Sequence, residues 1–444
     1  MQMEKSRLTK GEALSVSSRF GFFGLGMAGG SIAAACANIK LGDGHPIYPY
    51  SGLFVNTSRI DMATIKTTNP KTKKLLIGNG QGAGRDIEIG EEMFDASTEV
   101  IGEEFDKIFN GHDFIWVVAG LGGGTGTGTV INALEMVIEK GYGGRFGLIL
   151  TLPRDSEGLN VFENAMKRLK TIEEFMDSFG SIIFVDNQKL YQEFEKSHKN
   201  APVGDYIRHA NRFIAETLHE MNVVTASYKP VAEFNFDSSE FINLISTPGV
   251  LHIAKATMDA TEIVDAKSYN YEQHVENMLV EGVLSGGYEL KYADKLAVSI
   301  FAENSMANRV FKLSFIERIE AVIQKVSATA SEKPIAQYGY KNSVKPNETQ
   351  SKSPVYLYAM YAGLDLPTRI QEIALLKDQL VAEKIKLEEE RRANKPNLFG
   401  SSESITRQKK IPQPGQDLFG RKRKTEENTE KSTGKGLIKN LFDK

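Results

Sequence analysis

An α/β architecture is predicted: a parallel-sheet domain joined by a long central helix to a smaller α/β domain, then a long C-terminal helix and a disordered basic tail. Three observations predict it. Short apolar runs alternate with helical patterns from Phe20 to Val185, a single helical periodicity runs from Asp205 to about Tyr228, and composition changes abruptly after Asn394. Apolar strands separated by helices indicate a parallel sheet covered on both faces.

The elements follow in order. Residues 1–15 are polar and read as an appended helical arm. Phe20–Phe23, Gly52–Asn56, Phe114–Ala119, Phe146–Leu152 and Ser181–Val185 are strand-like, and Ser31–Ile39, Met93–Phe109, Val130–Lys140 and Val161–Phe175 are helical. Together they give a first domain over 16–200. A central helix over 201–229 carries an apolar stripe of Ile207, Phe213, Ile214, Leu218, Met221 and Val224. The second domain, 230–365, has strands expected at Val250–Ala254, Leu296–Phe301 and Val355–Tyr361, and a surface loop at Ser331–Ser353. A helix over 366–394 leads into the tail 395–444, whose apolar content is too low to order it.

The 444 residues are 41% hydrophobic and 25% charged, which suits two to three globular domains and excludes collagen-like, mucin-like or fully disordered chains. One cysteine, Cys36, rules out an internal disulfide and a cysteine zinc site, and the seven histidines show no metal-ligand spacing. A cytoplasmic location is expected. Between Arg19 and Lys40 lie twenty uncharged residues, but Gly24, Gly26, Gly29 and Gly30 break them, so a strand, a turn and a small-residue helix are expected rather than a membrane span. Net charge is −3. The tail holds twelve Lys and Arg against six Asp and Glu, so it carries +6 and the rest of the chain −9.

The strongest chemical signal is the loop Gly120-Leu-Gly-Gly-Gly-Thr-Gly-Thr-Gly128 between a strand and a helix. Glycines let backbone N–H groups approach an anion, the helix start adds unpaired N–H groups, and Thr125 and Thr127 add hydroxyls. A flexible linker would not sit between a buried strand and a helix, so phosphate binding is the reading. No GK[ST] follows, so the loop is not a P-loop of the Walker type. A second loop, Gly24-Leu-Gly-Met-Ala-Gly-Gly30, matches G-x-G-x-x-G. The next strand, however, ends in Asn56-Thr57, not in the acid a dinucleotide fold requires. Two such loops on neighbouring strands fit one nucleotide triphosphate better than a dinucleotide.

The motif GGGTGTG resembles the signature loop of the tubulin/FtsZ superfamily, and further matches follow in order over residues 18–365. Gly24, Gly26, Met27, Ala28, Gly29 and Gly30 resemble the first nucleotide loop, and Asn56 and Thr57 the second. GQGAGR, with Gly82, Ala83, Gly84 and Arg85, resembles the γ-phosphate loop. Gly120, Gly122, Gly123, Gly124, Thr125, Gly126, Thr127 and Gly128 form the signature loop itself. TLPRDSEG resembles the ribose loop, with Glu157 at the ribose-contacting acid. Asn187 and Asn211 fall at the two positions that read guanine. Asn235, Asp237 and Glu240 resemble the N-x-D-x-x-[DE] loop that acts on the nucleotide of the adjacent subunit.

Departures are Ile207, beside Tyr206, at the family's aromatic stacking position, Val161 where division proteins have an arginine, and fewer glycines in the first loop. With the extended final helix and basic tail, they resemble the TubZ branch, whose members segregate plasmid or phage DNA. The resemblance implies a GTPase that binds GTP or GDP with Mg2+, assembles head to tail into bacterial cytoskeletal filaments, and hydrolyses GTP when polymerised. The alternatives are a division-ring GTPase of the FtsZ kind and a dinucleotide-dependent oxidoreductase.

The tail repeats a short unit: Asn397-Leu-Phe-Gly400, Asp417-Leu-Phe-Gly420 and Asn440-Leu-Phe-Asp443, with Arg421-Lys-Arg-Lys424 beside the second. Chance recurrence in a biased segment is one reading. The other is three weak docking motifs gaining avidity against a multivalent partner. The resemblance points to a DNA-bound adaptor as that partner, with direct DNA binding by the tail as the rival.

Overall fold

Phe20–Leu25 is buried at all six positions, as a strand covered on both faces must be. It is β1 of a computed structural model that describes residues 7–9, 14–41, 47–231, 235–265, 270–341 and 353–394. The others are β2 Ser51–Asn56, β3 Thr72–Leu76, β4 Phe114–Gly120, β5 Phe146–Leu152, β6 Ile182–Asp186, β7 Val250–Asp259, β8 Lys295–Glu303, β9 Ile335–Tyr340 and β10 Pro354–Leu364. They form one sheet in the order β3-β2-β1-β4-β5-β6-β7-β10-β8-β9. From β3 to β6 every pairing is parallel, and the single register pair Ile182–Val250 carries the sheet into β7. Beyond it β10 lies antiparallel between β7 and β8.

Side chains of β4 show how the sheet divides the core. Ile115, Val117 and Ala119 face a layer with Phe105, Ile101 and Val130, whereas Phe114, Trp116 and Val118 face Ile32, Ile214 and Leu218. Residues to Ile385 make one compact unit, and from Lys386 the end of the C-terminal helix Thr368–Ala393 belongs to a second. The tail with its Leu-Phe units, and most of the arm 1–15, lie outside the described residues.

Four expectations need correction. β9 lies inside the stretch read as a loop; its short alternation of half-buried and buried residues is framed by Lys333, Pro334 and Lys341. β3, TKKLL, is an edge strand whose lysines hid it. The helix expected over Met93–Phe109 is two, Ile87–Asp95 and Thr98–Phe109, the second starting after Ser97. In the central helix Val203–Ser227 it is Tyr206 that joins the buried stripe, at 7% exposure, while Ile207 is 49% exposed.

Twenty-five residues in the central helix span about 37 Å at ~1.5 Å per residue. Its first turn sits at the carboxyl end of the sheet, where the Tyr206 hydroxyl donates to the Asn187 carbonyl at 3.0 Å. Its last turns sit at the amino end: Ser17 N–H donates to the Asn222 carbonyl and Ser18 N–H to Asn222 Oδ1, both at 2.9 Å, just before β1 begins. The next helix, Ser238–Ile245, stays at that amino end. Its Ile245 carbonyl accepts from Ser181 N–H at 2.9 Å, and Phe241 packs on Phe20. The central helix therefore joins the start of the helix Asn187–Ser197 at one end of the strands to the helix Ser238–Ile245 at the other.

Candidate functional site

At the carboxyl ends of β1, β2, β4, β5 and β6 the predicted loops converge. Gly26 begins the helix Gly26–Ala37 with φ +69°, and a β-carbon there would lie 2.8 Å from the Gly126 nitrogen. The two glycine loops are thus in contact, with no room for a side chain between them. Thr57 and Thr125 share a hydroxyl contact of 2.6 Å. Ala83 and Asp86 close on the signature loop from the third side, since a β-carbon on Gly124 would stand 2.9 Å from each. The loop over 80–85 is itself tied to the second strand by Gly82 N–H to the Thr57 carbonyl and Arg59 N–H to the Gly80 carbonyl, both 2.9 Å.

Two of the helices that start at this convergence, Gly26–Ala37 and Thr125–Val137, have no side-chain cap on the first turn. By contrast Asp86, Asp186 and Asp237 cap their helices. An uncapped start keeps several N–H groups and the positive end of the helix dipole available to an anion. Asn56 Nδ2 is buried with no partner among the described residues, a further donor awaiting an acceptor.

Not every predicted residue has the chemistry first assigned to it. Thr127 is fully buried, and its hydroxyl accepts from Gly122 N–H at 2.8 Å, so it shapes the loop from within. Gly29 and Gly128 have packing reasons to be glycine: a β-carbon would lie 2.1 Å from the Val118 carbonyl oxygen in one case and 2.4 Å from that of Ile87 in the other. Gly123 has nothing within 4 Å of such a β-carbon and faces open space. Gly24 and Gly30 sit close against Ala33 and Ile65, and Gly120 against Ala28, while Met27 is exposed. Arg85 adopts φ +65° and is exposed with Gly84.

Away from the glycine loops, Asn187 opens the helix Asn187–Ser197 directly after β6, held by Tyr206. Burial pushes the Tyr206 phenol up to about 12, so it remains a donor to the Asn187 carbonyl. The exposed Ile207 and half-buried Asn211 are one helical turn apart on the central helix. Glu157 is half-buried in the loop after β5, where Arg154 lies 4.4 Å from the centre of the Tyr191 ring.

The acidic motif is not at this site. Asp237 is the N-cap of Ser238–Ile245: its Oδ1 accepts from Ser239 N–H at 2.8 Å, Glu240 N–H at 3.0 Å and the Ser239 hydroxyl at 2.7 Å. Glu240 Oε2 accepts from Asp237 N–H at 2.9 Å, completing a capping box. These donors, the Glu240 N–H first, hold the Asp237 carboxyl below its usual range. Asn235 accepts from the buried Tyr338 hydroxyl at 3.0 Å, which fixes the approach to the box. Asp237 Oδ2 and Glu240 Oε1 take no described bond, so the box orients both carboxylates while leaving one oxygen of each unengaged.

Two residues at the site carry no motif signal. Asn164 Nδ2 donates to the Arg85 carbonyl at 2.8 Å and the Gly122 carbonyl at 3.2 Å, bridging the loop over 80–85 to the signature loop. Arg369, from the C-terminal helix, reaches Asp155 and the Pro153 carbonyl. Val161, the departure noted in the sequence, packs under Gly122. No group of three or more acidic, histidine or cysteine side chains among the described residues could hold a metal. Thr57, Thr125 and Asn56 are the side-chain oxygens near the loops that could help hold a divalent ion. No described helix is long and apolar enough to cross a membrane.

The family described as "Tubulin/FtsZ family, GTPase domain" matches residues 21–195, and "Tubulin-like protein TubZ, C-terminal domain" matches residues 234–368. The chain is 38% identical over 405 residues to the tubulin-like protein TubZ of Bacillus cereus, covering 89% of this chain and 91% of that protein. A crystal structure of a GTPγS-form protofilament of Bacillus thuringiensis serovar israelensis TubZ superposes with a TM-score of 0.70 at 21% identity, covering 85% of this chain and 95% of the other. A helical model of the two-stranded TubZ-Bt filament gives a TM-score of 0.73 at 19% identity, covering 90% and 96%. The chain belongs to the TubZ family of the tubulin/FtsZ superfamily.

Proposed function

We propose that this protein binds GTP at the carboxyl end of its sheet and hydrolyses it only when a second subunit stacks on that end. The observation that carries the reading is the separation of the two parts. The glycine loops lie at one end of the strands and the Asp237–Glu240 box at the other, with a central helix about 37 Å long between them. One subunit cannot bring its own acidic pair to its own phosphates. A neighbour in the same orientation can, and such a head-to-tail contact repeats without closing, which builds a filament.

The chemistry follows from the residues. The uncapped helix starts and loop N–H groups hold the phosphates, and Thr57 and Thr125 brace the loops around them. The neighbour's Asp237 and Glu240, oriented by their box, position and polarise a water in line with the γ-phosphate. Asp237 is a weak base because its carboxyl is held low, so its part is orientation and charge more than full proton removal. Mg2+, when bound, would be held with help from Thr57, Thr125 and Asn56 and would offset the phosphate charge.

The family relationship supports a role in moving plasmid or phage DNA, with tail residues 395–444 capturing a DNA-bound adaptor. Sedimentation of the pure protein with GTP, GDP and a slowly hydrolysed analogue, read with phosphate release, tests the class. Pelleting with GTP and the analogue but not GDP is expected; no nucleotide-dependent pelleting would overturn the filament reading. Replacing all three Leu-Phe pairs should abolish adaptor capture and leave pelleting intact.

A further inference from the structure

The first turn of the C-terminal helix is built into the guanosine end of the nucleotide site through one side chain. Arg369 is 7% exposed. Its Nη2 donates to the Asp155 carboxylate at 2.5 Å and to the Pro153 carbonyl at 3.1 Å. Nε lies 3.6 Å from Asp186 Oδ1, and Nη1 donates to Glu372 at 3.1 Å. Ile370 and Ile373, buried in the core, and the bond from Thr368 N–H to the Gly287 carbonyl at 3.0 Å, hold that turn in place.

The partners of Arg369 stand beside the residues assigned to ribose and base. Asp155 is two residues before Glu157 in the same loop. Asp186 immediately precedes Asn187 and caps its helix, accepting from Gln188 N–H at 2.9 Å and Lys189 N–H at 3.2 Å. Asp155 N–H donates to Gln188 Oε1 at 3.1 Å, which ties the two segments directly. A forked guanidinium holds several acceptors at fixed angles, which fixes their places relative to one another. No described hydrogen bond or ion pair joins Arg369, Asp155 or Asp186 to the glycine loops.

We propose that Arg369 is a positioning residue for the guanosine half of the nucleotide: it sets the places of Glu157 and Asn187, and so makes nucleotide affinity and base choice depend on the docked C-terminal helix. This rests on the nucleotide reading above. Because the phosphate loops are untouched, the effect falls on binding and not on the chemical step. Coupling of this kind is reciprocal, so bound nucleotide also secures the helix turn.

The test uses full-length protein, a fluorescent GDP titration, and GTP and ITP turnover. Arg369→Gln should weaken GDP binding about tenfold or more, as loss of charged hydrogen bonds does, while kcat at saturating GTP stays within about twofold. It should also reduce the preference for GTP over ITP in KM. Arg369→Lys should recover part of the affinity. Asp155→Asn, which keeps the shape of a half-exposed side chain, should shift affinity and base preference the same way and serves if Arg369→Gln does not fold. Unchanged GDP affinity and unchanged GTP:ITP preference in Arg369→Gln, or in Asp155→Asn where that variant stands in, would overturn the proposal. Failure of the unaltered protein to bind GDP would instead overturn the nucleotide reading itself.

Discussion

Thr57 and Thr125 lie 68 positions apart in the chain, yet their hydroxyls meet at 2.6 Å. One directly follows β2 and the other starts the helix Thr125–Val137 within the signature loop, so this contact closes the second nucleotide loop onto the signature loop. Thr125→Val strands the fully buried Thr57 without its partner, which costs ~1–3 kcal/mol where the group stays buried. GDP binding by fluorescence titration should weaken about tenfold by the same principle, and Thr125→Ser should restore it.

Gly123 and Gly128 separate ligand contact from packing. A β-carbon on Gly123 meets nothing within 4 Å, so Gly123→Ala should fold with an unchanged melting temperature and still lose phosphate affinity. A β-carbon on Gly128 lies 2.4 Å from the Ile87 carbonyl oxygen. Gly128→Ala should therefore be destabilised by ~1–3 kcal/mol as the helix Ile87–Asp95 is pushed away. Equal loss of stability in both variants would contradict the assignment of Gly123 to the ligand.

The capping box changes how Asp237 has to be tested. Alanine removes charge and cap together, and the cap alone is worth ~1 kcal/mol. Asparagine caps as well as aspartate, so Asp237→Asn should unfold at the same denaturant concentration as the unaltered protein. GTP binding should persist, turnover should fall about a hundredfold or more, and filaments should outlive those of the unaltered protein. Normal turnover in Asp237→Asn would remove Asp237 from the mechanism.

Two buried histidines set an acid limit. Burial pushes His219 and His252 down to about 4, from an ordinary 6.5. Their folded values lie below the unfolded ones, so the folded state binds fewer protons and stability is highest above pH 6.5. It should decline as pH falls from 6.5 toward 4, by up to ~3 kcal/mol per histidine. Denaturant midpoints measured between pH 7.5 and 4.5 check this. His219→Asn, which loses one of the two groups, should show a shallower decline.

Much of the fold is legible because its parallel strands are buried on both faces and read as unbroken apolar runs, as FGFFGL and FIWVVAG do. β3 and β9 escape because edge strands need only one apolar face and carry lysines or half-exposed residues. The glycine loops are equally plain in the sequence, but their division of labour is not. Gly29 packs on Val118 and Gly123 faces open space, a difference of neighbours that no local motif records. Arg369 and Asn164 are silent for the same reason: their partners are 214 and 79 positions away. The placement of Asp237 at the far end of the strands follows from the length of the central helix and from contacts such as Phe241 on Phe20, which sequence spacing cannot supply.

The central claim is that hydrolysis needs two subunits, one presenting phosphates and the next presenting Asp237 and Glu240. Phosphate release per subunit, measured at saturating GTP over a dilution series, tests it most directly. The split site predicts activity near zero in dilute protein and a rise once subunits stack. A turnover per subunit that stays constant through the whole dilution series would contradict it.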